Sequence, residues 1–389
     1  MLSSPLAILA VLAGLVALIF QLEKRPELGW LFKRLPAVFW IYALPMLLTS
    51  AGVLPEASPL YTALTRHLLP ASLALLLLSS DLRSIAALGP RALLAMAVAS
   101  VGISAGVVLS FVVFGSRLGG EAWKTFAAIC GTWIGGSANL LAVGTALGLS
   151  PESQGIAILV DTVVGYSWMG ILIALAARQP RLDRFFRADR AEVEAIGERV
   201  RARFERDRRP TTVPDATLLV GFALVFSVAA MSLGRLLPPV GNVLTPFSWG
   251  ILILTTGGLL LSLTPLARYD GAGASSLGYA AFYLLLASVG AQADLEKIVS
   301  QPLWIAAGVL VIAVHAVLLL LALRLLRAPA FFFGAASQAA VGGYSSAPVV
   351  AEIYQPGLAP VGLLLAVVGN VLGTYVGLAV GQLLSVWAR

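Results

Sequence analysis

The chain has 389 residues, of which 59% are hydrophobic and only 12% charged, with a mean hydropathy of +0.92. Charge this sparse, about half the usual share of a soluble domain, excludes an ordinary water-soluble enzyme. The formal net charge of +7 does not imply nucleic acid, because 11 of the 26 basic residues and 7 of the 19 acids lie between Arg178 and Arg209, so that most of the excess belongs to that one segment.

Apolar runs fall at residues 4–22, 36–54, 60–80, 91–114, 121–149, 153–177, 214–236, 243–265, 273–293, 303–326, 329–353 and 358–387. Unbroken runs of about 20 residues predict helices, whereas a membrane β-barrel would alternate apolar and polar residues over about ten. The expected fold class is an all-α polytopic membrane protein in the cell (inner) membrane. The first run has no basic residue before it and meets Glu23, Lys24 and Arg25 directly after it. It therefore reads as a retained helix with its N-terminus outside, not as a cleaved signal peptide. The single cysteine, Cys130, lies inside an apolar stretch and excludes both an internal disulfide and a cysteine-built metal centre. Between Arg178 and Arg209, 18 of 32 residues are charged, and Leu182, Phe185, Phe186, Val193, Ile196, Val200 and Phe204 recur at mostly helical spacing. This pattern predicts a basic amphipathic cytoplasmic helix, solvated and touching anionic headgroups.

The connector separates two related halves. Offsetting the sequence by 207 positions places Gly135-Gly136 on Gly342-Gly343, Gly155 on Gly362 and Gly170 on Gly377. A one-residue adjustment puts Thr162-Val163-Val164-Gly165 on Asn370-Val371-Leu372-Gly373, and Asp81-Leu82-Arg83-Ser84-Ile85 matches Asp294-Leu295-Glu296-Lys297-Ile298. The common order of these matches predicts a duplication: a first repeat over 1–177, a connector over 178–212 and a second repeat over 213–389. Internal repeats characterise secondary transporters, whose sites form from interrupted segments at the repeat interface. Twelve crossings would strand one basic loop on the wrong side whichever way the chain is oriented. If the two Gly-Gly segments are re-entrant and the N-terminus is outside, the inside collects 20 of 26 lysines and arginines, and the repeats become inverted.

Paired glycines let a backbone leave the helix and free polar groups that only a cavity or a ligand can satisfy. The first break offers Gly135, Gly136, Ser137 and Asn139; the second offers Gly342, Gly343, Tyr344, Ser345 and Ser346, followed by Pro348. Ser137 or Asn139, and Ser345 or Ser346, are residue types that cap helix N-termini. Two half-helix N-termini meeting at mid-depth would favour an anionic group such as a carboxylate, so these nine residues form the expected solute site. The alternative is that the glycines only allow close helix packing. Asp161 stands in the middle of an apolar run, where a carboxylate costs about 2.5–3.5 kcal/mol on insertion scales. A bound sodium ion or proton would compensate, with Thr162, Asn370 and Thr374 as further oxygen ligands. The alternative is an acid bonded to a neighbouring hydroxyl, Thr162 or Ser167.

Other ionisable residues carry weaker signals. Glu352 is either part of the site or interfacial, and His315 is either a helix-bridging histidine or a proton relay. Asp81 and Asp294 read as interfacial ion pairs, and Trp30, Trp40, Trp123 and Trp304 as interfacial belts. No P-loop, nucleophile elbow or nucleophile–base pair is visible, so neither ATP-driven transport nor an enzyme is expected, and no organic cofactor is implied.

Gly131-Thr-Trp-Ile-Gly-Gly-Ser-Ala-Asn139, Asp161-Thr-Val-Val-Gly165 and Val341-Gly-Gly-Tyr-Ser-Ser-Ala-Pro348 resemble the YjcL-like membrane family, known as domain of unknown function 819. That resemblance covers most of the chain and supplies no substrate. More distantly, Gly135, Gly136, Gly342 and Gly343 resemble the breaks of glutamate:sodium symporters and 2-hydroxycarboxylate transporters, and Asp161 resembles the acid of cation:proton antiporters. The chain departs from both, having no arginine near either Gly-Gly and no acid adjacent to Asp161. The expectation is an ion-coupled secondary transporter, with sodium or a proton as coupling ion, moving a small and anionic organic solute by alternating access. The expected partners are the lipid bilayer, that solute and a second copy in a homodimer. A sodium or proton antiporter is the first alternative. A membrane solute receptor or assembly factor without transport is the alternative from another class.

Overall fold

The computed structural model describes residues 2, 4–35, 37–80, 82–85, 88–188, 193, 195–198, 210–293 and 302–388. Among them it contains no strand, only an isolated antiparallel bridge between Val240 and Leu244. The first half holds α1 (Pro5–Glu23), α2 (Ala37–Ser50), α3 (Pro59–Leu78), α4 (Gly89–Phe114), α5 (Ala122–Gly135), α6 (Ser137–Ala146) and α7 (Pro151–Ala176). α8 (Gln179–Phe186) opens the connector. The second half holds α9 (Val213–Arg235), α10 (Pro246–Ser262), α11 (Ala274–Gly290), α12 (Leu303–Leu326), α13 (Ala330–Tyr354) and α14 (Ala359–Trp387).

Local chemistry fixes where these helices begin. Proline is the first residue of α1, α3, α7 and α10, where its missing N–H would have had no helical partner. Ser58, Ser150 and Thr245 accept hydrogen bonds from the first free amides of α3, α7 and α10. Thr212 and Asp215 satisfy each other's backbone N–H in a capping box ahead of α9. Two helices widen locally into π-type winding, α3 over Leu64–Leu68 and α7 over Asp161–Gly165. Among the described residues seven helices (α1, α3, α4, α7, α9, α12 and α14) are long and apolar enough to cross a membrane, so the chain is a multi-pass membrane protein.

Between helices in lipid, small residues take over the role that apolar burial plays in water. On α4, Gly102, Gly106 and Ser110 recur every four residues against α12. A Cβ on Gly106 would lie 2.6 Å from the Val311 carbonyl oxygen, and Ser110 donates to Ala307 O at 2.9 Å. On α14, Gly369, Gly373, Gly377 and Gly381 form a similar ridge against α5. A Cβ on Gly373 would come within 2.8 Å of Gly131 O, and one on Gly377 within 3.1 Å of Ala127 O.

Packing between the halves is reciprocal. α2 packs on α11 as α10 packs on α3; α1 meets α11 as α9 meets α3; α7 meets α13 as α14 meets α5. α4 and α12, which hold equivalent places in the two halves, pack on each other, as do α3 and α11. Of the sequence match between the Asp81 and Asp294 segments, Leu82–Ile85 form a short helix, while residues 81 and 294–298 lie outside the described ones.

Where it is described, the start of the connector is docked. Asp183 Oδ1 accepts from Ala330 N–H at 2.7 Å, holding the first amide of α13, and Phe186 is fully buried. Arg324 donates to the Phe185 carbonyl and stands 4.3 Å from the centre of its ring. α8 is amphipathic, with Arg181 and Arg184 exposed, while a buried acid and a buried aromatic on its other face fasten it to the second half. Residues 189–192, 194 and 199–209 lie outside the described ones. Trp304 is also turned inward, packed against Phe126 and not toward lipid.

Candidate functional site

Both Gly-Gly pairs break their helices, and within each pair the two glycines do different things. Gly136 (φ 87°, ψ 173°) separates α5 from α6, and Gly343 (φ 60°, ψ −148°) interrupts α13. Both conformations belong to the region that only glycine occupies readily. The preceding glycines make room instead. A Cβ on Gly135 would run into the Asn139 amide, and one on Gly342 into the side chains of Ser346 and Gln338. A Cβ on Gly343 would sit 3.4 Å from Gly136 Cα, so the two breaks meet.

Polar side chains gather on either side of this crossing. Asn139 Nδ2 donates to Gly135 O at 2.7 Å and to Asn370 Oδ1 at 3.0 Å, while Thr374 donates its hydroxyl to Asn139 Oδ1. All three side chains are buried, and they lock the first break to α14. Tyr344 lies beside Asn370 and Ser80. At the second break, Gln338 Nε2 donates to Ser346 Oγ at 2.7 Å, bridging the two sides of Gly343. The expected N-caps are corrected: Gly136 itself holds the cap position of α6 with no side-chain cap, because the Asn139 amide turns back to Gly135 and across to Asn370. Ser346 likewise faces Gln338. The Ser345 side chain lies outside the described ones.

Asp161 begins the π-type turn of α7, where an extra residue re-aims the side chains toward α5. Its Oδ1 accepts from the Trp133 indole N–H at 2.8 Å, and the Ser167 hydroxyl is spent on Val163 O at 2.6 Å. The acid's partner is therefore an indole and not the neighbouring hydroxyl. Asp161 and Thr162 share a cavity of about 50 Å³ with Thr132, Gly136, Ser137, Gln338 and Gly342. Asn370 and Thr374, expected beside Asp161, are not among its lining residues; they belong to the Asn139 cluster. Thr132 and Gln338 were not singled out from sequence. Each is about 1% exposed, and Thr132 Oγ1 and Gln338 Oε1 have no hydrogen-bond partner among the described residues. Gln338, an amide four residues before Gly342 in the mostly apolar first half of α13, is the signal that could have found this pair.

His315 is fully buried and bridges helices. Nδ1 lies 3.1 Å from Ala99 O on α4, and Nε2 2.8 Å from Ser337 Oγ on α13, which also accepts from Trp168 Nε1 at 2.8 Å. An indole can only donate, so every group is used when Ser337 donates to Nε2 and Nδ1–H donates to Ala99. Carboxylates fasten the loops that follow each broken segment. Glu121, in the loop ahead of α5, accepts from Ser150 Oγ at 2.7 Å and Ser153 Oγ at 2.9 Å, and pairs with Lys124 at 3.3 Å. Glu352 accepts from Gly357 N–H at 2.9 Å and Ala359 N–H at 3.2 Å. That places Glu352 as a loop clasp away from the crossing.

The family model described as a protein of unknown function (DUF819) matches residues 10–387. The chain belongs to the DUF819 family. Among relatives of this DUF819 protein, "Uncharacterized membrane protein YjcL" of Bacillus subtilis (strain 168) is 26% identical over 356 residues, covering 87% of each chain. The crossing, the Asn139 cluster and the Asp161 cavity all lie within the matched span of this DUF819 chain.

Proposed function

We propose that this DUF819 protein is an ion-coupled secondary transporter of inverted-repeat architecture, which binds a small, anionic organic solute between the two breaks and a cation at Asp161. The observation that carries this reading is the meeting of Gly136 and Gly343 beside a cavity that holds a deep carboxylate. Discontinuous segments crossing at a repeat interface suit alternating access, because a small shift of either break re-aims the groups around a fixed site. The reciprocal packing supports the repeats, with α4–α12 as the close-packed scaffold. The basic-residue count supports their inversion, with the N-terminus outside and the connector inside.

A second reading, a sodium or proton antiporter, draws on the size of the cavity. About 50 Å³ has room for an ion with little water, well below the several hundred Å³ usual for an organic ligand. In the first reading, space for the solute opens as the breaks part.

Proteoliposomes with imposed sodium or pH gradients test the proposal. Gradient-driven flux that is lost in Asp161→Asn is the expected result. Cation exchange in the absence of solute selects the antiporter, and absence of any gradient-driven flux with intact solute binding overturns both in favour of a receptor.

A further inference from the structure

We infer that the cavity at the crossing is a site for one dehydrated alkali-metal cation, best fitted by sodium, in which Thr132 Oγ1 and Gln338 Oε1 complete the coordination begun by Asp161. This rests on the reading that a cation binds at Asp161, and adds the donor set, the ion class and the way occupancy reaches the second break.

Two buried oxygens without partners line the same small cavity as a carboxylate. A buried polar oxygen left unmade is costly, and two of them beside a carboxylate fit a single positive guest. Trp133 engages Asp161 Oδ1, leaving Oδ2 for that guest. A proton on the carboxyl could be donated to Gln338 Oε1 with the Thr132 hydroxyl donating back to the carboxyl, whereas a metal ion takes lone pairs of all three oxygens together; sodium binding tells the two apart. The candidate donors are oxygens throughout; no histidine, cysteine or methionine lines the cavity, so a soft transition metal is not matched. Charge selects the valence. One carboxylate cancels one monovalent cation, while a divalent ion would leave a net charge within the bilayer.

The donors also come from both halves. Thr132 stands on α5 one turn before Gly136, and Gln338 stands on α13 before Gly343. The Gln338 amide is bifunctional: Nε2 already holds Ser346 beyond the break at 2.7 Å, and Oε1, without a hydrogen-bond partner among the described residues, is left for the cation. A bound ion thus draws α5, α7 and α13 together and stiffens the far half of α13 through one side chain. Occupancy and the geometry of the break become a single equilibrium.

The test uses the full-length protein in detergent, with sodium-22 binding and thermal midpoints measured in sodium, lithium, potassium and choline chloride. Asp161→Asn should abolish binding, and Thr132→Val and Gln338→Met should each weaken sodium affinity about tenfold or more, the scale seen when metal-supporting groups are lost. Glu121→Gln weakens a loop clasp that lines no part of the cavity and should retain sodium binding, which separates coordination from folding. If Thr132→Val and Gln338→Met bind sodium as the wild type does, the inference is wrong. If no alkali ion binds while Asp161-dependent proton flux persists in liposomes, this site fails and the transporter reading stands. Sodium binding with the stated variant pattern, but no flux, supports the site and overturns the transporter.

Discussion

At the scale of single residues, Asp161 and Asn139 do opposite things with buried polarity. Asn139 is fully bonded to Gly135, Asn370 and Thr374, whereas Asp161 has one protein donor and a cavity. Asn139→Leu should therefore destabilise, leaving Gly135, Asn370 and Thr374 with stranded groups at about 1–3 kcal/mol each before relaxation. Thermal midpoints should show it, and an Asn139→Ala/Asn370→Ala cycle should give non-additive losses. Trp133→Phe removes only the indole donor. It should lower the midpoint modestly and shift the sodium dependence of that midpoint, because Asp161 loses the contact that aims it. The depth of Asp161 in an apolar run was legible from sequence, and so was the presence of neutral oxygens in the second half. Their pairing was not. Trp133 reaches Asp161 only because the π-type turn rotates α7, and Asn370 reaches Asn139 only because α14 crosses to the other half's broken segment. Neither rotation nor crossing is written in local spacing.

At the scale of elements, all twelve apolar runs became helices or once-broken helices, because twenty apolar residues in lipid have no other way to satisfy their backbone. The Gly-Gly pairs announced the breaks but not the division of labour within each pair. Substituting them separates the two roles. Gly136→Ala meets no neighbouring atom within 4 Å, so its cost is conformational, about 1–3 kcal/mol. Gly135→Ala instead forces Asn139 aside. Both should lower the midpoint, but only Gly135→Ala should lose the coupling between Asn139 and Asn370 in a mutant cycle. The loop clasp at Glu121 gives a pH signature. Burial pushes this carboxyl up, but hydrogen bonds from Ser150, Ser153 and Lys124, with the lysine charge, outweigh it and hold the group below its ordinary 4.5. A depressed carboxyl stabilises above its unfolded value and ceases to do so as pH falls through the folded one. The midpoint gap between wild type and Glu121→Gln should accordingly be widest at neutral pH and close below pH 4.5.

At the scale of the whole molecule, neither half is a self-contained bundle, since α3 lies on α10 and α11, and α5 lies on α14. The proposed duplication rests on ordered glycines, and this interleaving was not legible from them, because repeat matching says which elements correspond and not which ones touch. Orientation is directly measurable. Cys130 is buried, whereas Ser4 and Arg181 are exposed, so single cysteines placed at those two positions can be labelled selectively in intact cells. An impermeant maleimide should reach Ser4→Cys and not Arg181→Cys; the reverse pattern would refute an outside N-terminus. The glycine ridge of α14 has a further consequence, for biosynthesis. A ribosome delivers α5 and α6 long before it delivers α14, so Asn139 must wait in the bilayer for Asn370 and Thr374. During that interval the Asn139 amide has none of its partners from the second half. Its bonding is complete only when the last helix lays its four glycines along α5.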